Sequence, residues 1–157
     1  MKKMRTGVVV IMVALMATLT TTPAFAQANP STIHLHFTRS EVRPNPCTGE
    51  PIQLDVELDV KIHRNTDGAG GTHMAVNSNL HGTGLGLVTG AKYILNSVAT
   101  SHFTFTGAIN QTLWQDAVLV GQGDVPNFLF QQTEHFTVNN NGEITTDFDQ
   151  VFTKCLG

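Results

Sequence analysis

The sequence predicts a single all-β domain: an antiparallel meander of about eight strands closed as a barrel, with a two-sheet sandwich as the alternative. Three observations predict it. Ile52, Leu54, Val56, Leu58, Val60 and Ile62 alternate with Gln53, Asp55, Glu57, Asp59, Lys61 and His63 without interruption, the period-two signature of a strand with one buried face. Turn-forming clusters such as Asn65-Thr66-Asp67-Gly68 and Asn141-Gly142 separate the alternating segments at short intervals. No segment carries a convincing helical period.

Taken in order, Thr32 to Thr38 sets Ile33, Leu35 and Phe37 against His34, His36 and Thr38, which reads as a half-buried strand. Arg43-Pro44-Asn45-Pro46 stops it, because two prolines fix φ and remove donors. The strand from Ile52 to Ile62 follows, then a hairpin partner from Thr72 to Leu80 with Met74, Val76 and Leu80 on one side. Gly82, Gly84, Gly86 and Gly90 punctuate the next stretch as turns, a bulge or close strand packing. Lys92 to Ala99 and Ser101 to Gly107 read as two strands, the second with Phe103 and Phe105 inward. Gln111 to Val120 fits either a strand or a helical turn or two and is assigned as strand. Phe128, Phe130, Phe136 and Val138 share one parity with Gln132 and Glu134 between them, which calls for a bulge or an interior polar site. Asn141-Gly142 then favours a type I′ turn into a last strand carrying Ile144, Thr146, Phe148 and Phe152.

Met1 to Ala26 combines a basic start, an apolar run from Val8 to Met16 and an Ala24-Phe25-Ala26 exit, the pattern of a cleaved secretory signal peptide. The run is too short to span a bilayer. The expected organisation is a signal peptide over 1–26 and one domain over 27–157, placed outside the cytoplasm and secreted or periplasmic. Removing Lys2, Lys3 and Arg5 leaves six Lys and Arg facing twelve Asp and Glu, a balance that disfavours nucleic acid. The remaining Cys47 and Cys155 form an even pair in an oxidising compartment. With no Cys-x-x-Cys motif, a structural disulfide is expected; closing so long a loop restricts the unfolded chain by about 4 to 5 kcal/mol in the chain-entropy model.

His36-Phe37-Thr38, Asn45-Pro46-Cys47-Thr48-Gly49-Glu50, and the closing run Glu134-His135-Phe136-Thr137-Val138, Asn141-Gly142-Glu143, Phe148 and Cys155 resemble a family of small secreted bacterial β-proteins with an Asn-Pro-Cys-Thr-Gly loop and a C-terminal Cys. The resemblance implies a secreted β fold with a terminal bridge, and transfers no catalytic residue and no cofactor.

The seven histidines raise metal binding, with His34 and His36 about 7 Å apart on one strand face as first suspects. His34, His36 and His63 nevertheless lie at polar positions of their strands, His73, His81, His102 and His135 are scattered and read as surface or hydrogen-bonded residues, and no metal site is assigned. Asp55, Glu57 and Asp59 could raise one another's pKa for acid/base work, but such a row on an outer face ordinarily solubilises and protects. Glu134 has inward parity and is the residue around which a small barrel enzyme would be built. The glycines from Gly84 to Gly90 lack phosphate-loop spacing, and no Gly-x-Ser-x-Gly elbow is present. The expectation is therefore non-catalytic binding. Its two forms are an apolar small molecule in a barrel interior lined by Tyr93, Phe103, Phe105, Trp114, Phe128, Phe130 and Phe136, and an extracellular protein at the surface.

Protein isolated from an oxidising compartment should lack free thiols. Intact mass without reductant, two hydrogens below the reduced value, checks this.

Overall fold

The computed structural model describes residues 30–157; the expected signal peptide lies outside the described residues. Seven antiparallel strands form one sheet in sequence order: β1 (Ser31–Pro44), β2 (Pro51–Thr66), β3 (Thr72–Gly86), β4 (Lys92–Phe105), β5 (Ile109–Gly121), β6 (Asn127–Val138) and β7 (Ile144–Leu156). The sheet is not closed into a barrel, which corrects the closed meander. The count falls from eight to seven because the two strands expected over 92–107 are one: β4 runs unbroken through Thr100 and Ser101, which keep period-two pairing with Asn77 and Val76 on β3.

Strand number rules out an antiparallel closure. In an antiparallel meander direction alternates, so the first and seventh strands run the same way and cannot meet as an antiparallel pair. The sheet nonetheless curls. Laid flat, first and last strands would stand roughly 29 Å apart, yet Cys47 in the β1–β2 loop and Cys155 on β7 are bonded, with Cα atoms 5.7 Å apart.

The curl is tightest at the bridged end. On its inner face Ile52, Leu54 and Val56 are buried with Tyr93 and Leu119, and Leu80, Ala91, Leu95, Val125 and Phe128 pack against them. Register sets Ile52, Leu54 and Val56 opposite Gly86, Gly84 and Gly82. Those glycines belong to β3, not to a loop, and two are required by close approach. A Cβ on Gly84 would stand 2.9 Å from Ile52 Cγ2 and 3.0 Å from Leu54 Cδ2, and one on Gly82 would strike the Asp55 carbonyl. Larger side chains here would hold β2 and β3 too far from the core.

The β1–β2 loop seals this end. Asn45, 1% exposed, accepts at its carbonyl Oδ1 from the Cys47 and Thr48 amides at 2.8 and 3.3 Å, and its Nδ2 donates to Tyr93 Oη at 3.1 Å. Its own amide reaches the Glu50 carbonyl at 2.7 Å. Every polar group of this buried amide is thereby occupied, as burial demands. Between β6 and β7, Gly142 has φ of 81° and, among the described residues, only glycines take a positive φ, so Asn141-Gly142 does not form a type I′ turn. The Gly142 amide donates to Asn139 O and the Asn139 amide to Glu143 O, a type I turn closed by a left-handed glycine. The single β6–β7 irregularity falls at Thr137/Val138; Gln132 and Glu134 therefore keep inward parity.

Val56→Asp should cost several kcal/mol by placing an unpaired carboxylate in this core, and Gly84→Ala about 1 to 3 by overpacking. Glu57→Ala on the opposite face should change little. Urea midpoints of the three variants check the ordering.

Candidate interaction surfaces

Strand pairing assigns each residue to a face. The inner face carries Phe37, Leu35 and Ile33 on β1; Leu58, Val60 and Ile62 on β2; Tyr93, Phe103 and Phe105 on β4; and Phe128, Phe130, Gln132, Glu134 and Phe136 on β6. Phe103 and Phe105 stack with centroids 6.2 Å apart and planes 4° from parallel. Glu134 is set between Leu113 on β5 and Asp149 on β7, and Gln132 Nε2 donates to Asp149 Oδ1 at 3.2 Å. Gln132 and Glu134 thus keep the inward parity of their strand beside Asp149, on a face of an unclosed sheet.

All seven histidines fall on the outer face by register. Each acid of the β2 row has a cross-strand partner: Asp59 Oδ1 meets His36 Nδ1 at 2.8 Å, Glu57 Oε2 meets His81 Nε2 at 3.1 Å, and Asp55 Oδ1 accepts from Ser40 Oγ. The row is thus a set of separate pairs. His34 aligns with Lys61, and no group of three His, Cys, Asp or Glu poised for a metal occurs among the described residues. Two shallow depressions of about 340 and 320 Å³ lie on β1 to β3; Thr38, Ser40, Asp55 and Glu57 line one, and His34, His36, Asp59, Lys61, Asn77 and Asn79 line the other.

Trp114 departs from the cavity-lining role its sequence suggested. It pairs with Thr100 and Thr133 on the outer face and is 44% exposed. Inward and outward parity on β5 was ambiguous because Leu113 and Trp114 are adjacent and both apolar; Leu113, not Trp114, faces the interior. Two residues along, Asp116 Oδ1 is out of contact with solvent and has no hydrogen-bond partner among the described residues. Sequence reasoning gave no signal for Asp116, since a buried oxygen on an outward residue depends on its neighbours' side chains.

Electrostatics of the turns are set by backbone donors. Glu50 reaches across to the β3–β4 turn, where its Oε1 accepts from the Val88 and Thr89 amides at 2.9 and 2.6 Å. The Thr89 amide, with help from its hydroxyl and Val88, holds the Glu50 carboxyl below its usual value. His73 and the Gly71 amide do the same for Asp67 in the β2–β3 turn. The bond to Asp59 raises the His36 imidazole above its usual value.

Comparison of the chain with protein-family models, curated proteins and solved structures returns no match.

Because Glu50 and Asp67 are depressed on folding, their stabilisation is complete above the unfolded carboxylate range and is lost as pH falls through their lower folded values. Urea midpoints of Glu50→Gln and the unaltered protein should differ at pH 6 and converge towards pH 2. The His36 contribution has the opposite sign: it is complete below the imidazole's unfolded pKa and is lost as pH rises through the raised folded value. His36→Gln should therefore differ from the unaltered protein at pH 5 and match it at pH 9.

Proposed function

We propose that this chain is a non-catalytic binding module of an extracytoplasmic compartment that engages a protein partner at its surface. The observation that carries the reading is Trp114, the only tryptophan of the chain, standing exposed on the outer sheet face, where Val98, Phe148 and Phe152 on the neighbouring strands are exposed as well. Exposed large aromatic side chains among apolar neighbours are the anchors on which protein interfaces concentrate binding energy.

Two features support the surface over an enclosed apolar ligand: the sheet is open along the β1–β7 seam, and Trp114 is withdrawn from the inner face. The Cys47–Cys155 bridge supports the oxidising location. No helix among the described residues is long and apolar enough to cross a membrane.

The mature protein and its Trp114→Ala and Glu134→Gln variants would be immobilised and exposed to the secreted proteins of the native source. A stoichiometric partner should bind the unaltered protein and Glu134→Gln, and binding to Trp114→Ala should fall at least tenfold. The sole indole should shift its fluorescence on titration with that partner. A stoichiometric apolar compound in the purified protein would instead favour an interior ligand. Turnover abolished by Glu134→Gln with folding intact would establish an enzyme.

A further inference from the structure

Beyond that reading, and independent of Trp114, the two free edges of the sheet differ in a way that bears on self-association. An unpaired edge strand presents a row of amides and carbonyls to any passing strand, and edges are ordinarily protected by charge, proline or brevity. β7 is protected. Asp147 and Asp149 sit at its middle, so a two-fold pairing of β7 with itself centred on Phe148 or Asp149 would set carboxylate against carboxylate. β1 is unprotected over its first half. Ser31 to Thr38 contains no Asp, Glu, Lys, Arg or Pro, its outer edge pairs with no strand among the described residues, and Ile33, Leu35 and Phe37 are 50%, 39% and 50% exposed.

We infer that the Ser31 to Arg39 half of β1 is a dimerisation edge, pairing antiparallel with the same segment of a second copy about a two-fold axis through Leu35. The occupant is specified by self-complementarity. With Leu35 opposite Leu35 of the second copy, Ile33 meets Phe37 and Phe37 meets Ile33, so the exposed inner-face row of each copy covers that of the other. On the other face His34 meets His36 and Thr32 meets Thr38, and at the ends Ser31 meets Arg39. No acid is placed at any pair.

Apolar coverage separates this register from the obvious alternative. Arg39 Nη2 and Arg43 Nη2 both bond Glu41, at 2.8 and 2.9 Å. A two-fold centred on Ser40 would align Arg39 with Glu41 of the second copy, but it would also set Phe37 against Arg43 and leave Ile33 and Leu35 uncovered. The Leu35 register instead leaves the Arg39-Glu41-Arg43 group in water beyond the paired segment. It also uses the half of β1 remote from the bridge, where β1 pairs with no strand on its outer side among the described residues.

Such a contact is isologous and closes after two copies, giving one continuous sheet of two seven-stranded halves. Antiparallel partners have Cα atoms about 4.5 or 5.5 Å apart, either of which a disulfide can span. At the axis a single cysteine would meet its own counterpart. Ile33 and Ile33 of the second copy, by contrast, are offset four residues along the strand, roughly 13 Å.

The test uses the mature, bridged protein. Sedimentation at micromolar to hundred-micromolar concentration should show a concentration-dependent dimer, and Leu35→Lys should raise its dissociation constant at least tenfold with far-UV spectrum and native bridge unchanged. Mild oxidation should give a covalent dimer of Leu35→Cys joined through that position by peptide mapping, and none of Ile33→Cys. Trp114→Ala should dimerise normally. A monomer throughout with no cross-link in Leu35→Cys would overturn the inference, as would association indifferent to Leu35→Lys. Equal cross-linking of both cysteine variants would exclude the register, and open-ended polymers would point to β1 pairing with β7 of the next molecule.

Discussion

An antiparallel meander with an odd number of strands has no antiparallel way to close, and the organisation of this molecule follows from that constraint. β1 and β7 point the same way, so hydrogen bonding stops at each edge and the ring is completed covalently at one end. The buried core gathers where the clasp is: Ile52, Leu54, Val56, Tyr93 and Leu119 lie towards the Cys47–Cys155 end, while both edge strands are exposed along almost their whole lengths. A tight curl needs two strands to approach without intervening side chains, and Gly82 and Gly84 supply that opposite Val56 and Leu54.

The β1–β2 loop connects this constraint to the sequence. Asn45 turns its carbonyl oxygen to the two amides that follow Pro46 and its amide nitrogen to Tyr93, four strands into the sheet. Cys47 Sγ lies 3.6 Å from the Asn127 carbonyl at the start of β6. One short loop therefore touches β4, β6 and β7, so the residues around Cys47 act as a plug for the curled end rather than as a simple connection. Glu50 extends the same network to the β3–β4 turn.

Much of the fold was legible in the chain because a period of two is a direct imprint of burial on one face. The β2 row, the inward parity of Phe103, Phe105, Phe128, Phe130 and Phe136, and the pairing of the two cysteines could all be read without coordinates. Strand ends could not: β3 continues through Gly82, Gly84 and Gly86, where the sequence suggests a break, because those glycines answer to side chains on β2 that are distant in sequence. Closure was not legible either, since merging two short alternations into β4 changes the parity of the whole meander. At the candidate surface, the outward placement of Trp114 turned on a single-residue choice of face, and Asp116 has no local signature at all.

The wiring of the sheet has a consequence for how the chain matures. Every strand pairs with its neighbour in sequence, so the sheet can grow by successive hairpins without waiting for distant segments, a regime of low loop-closure cost. The bridge alone spans 108 residues, and its second partner lies on the last strand. Until that strand emerges Cys47 is an unmated thiol on an otherwise advancing sheet. The bridge therefore joins the first loop to the last strand and requires both ends of the meander to be present.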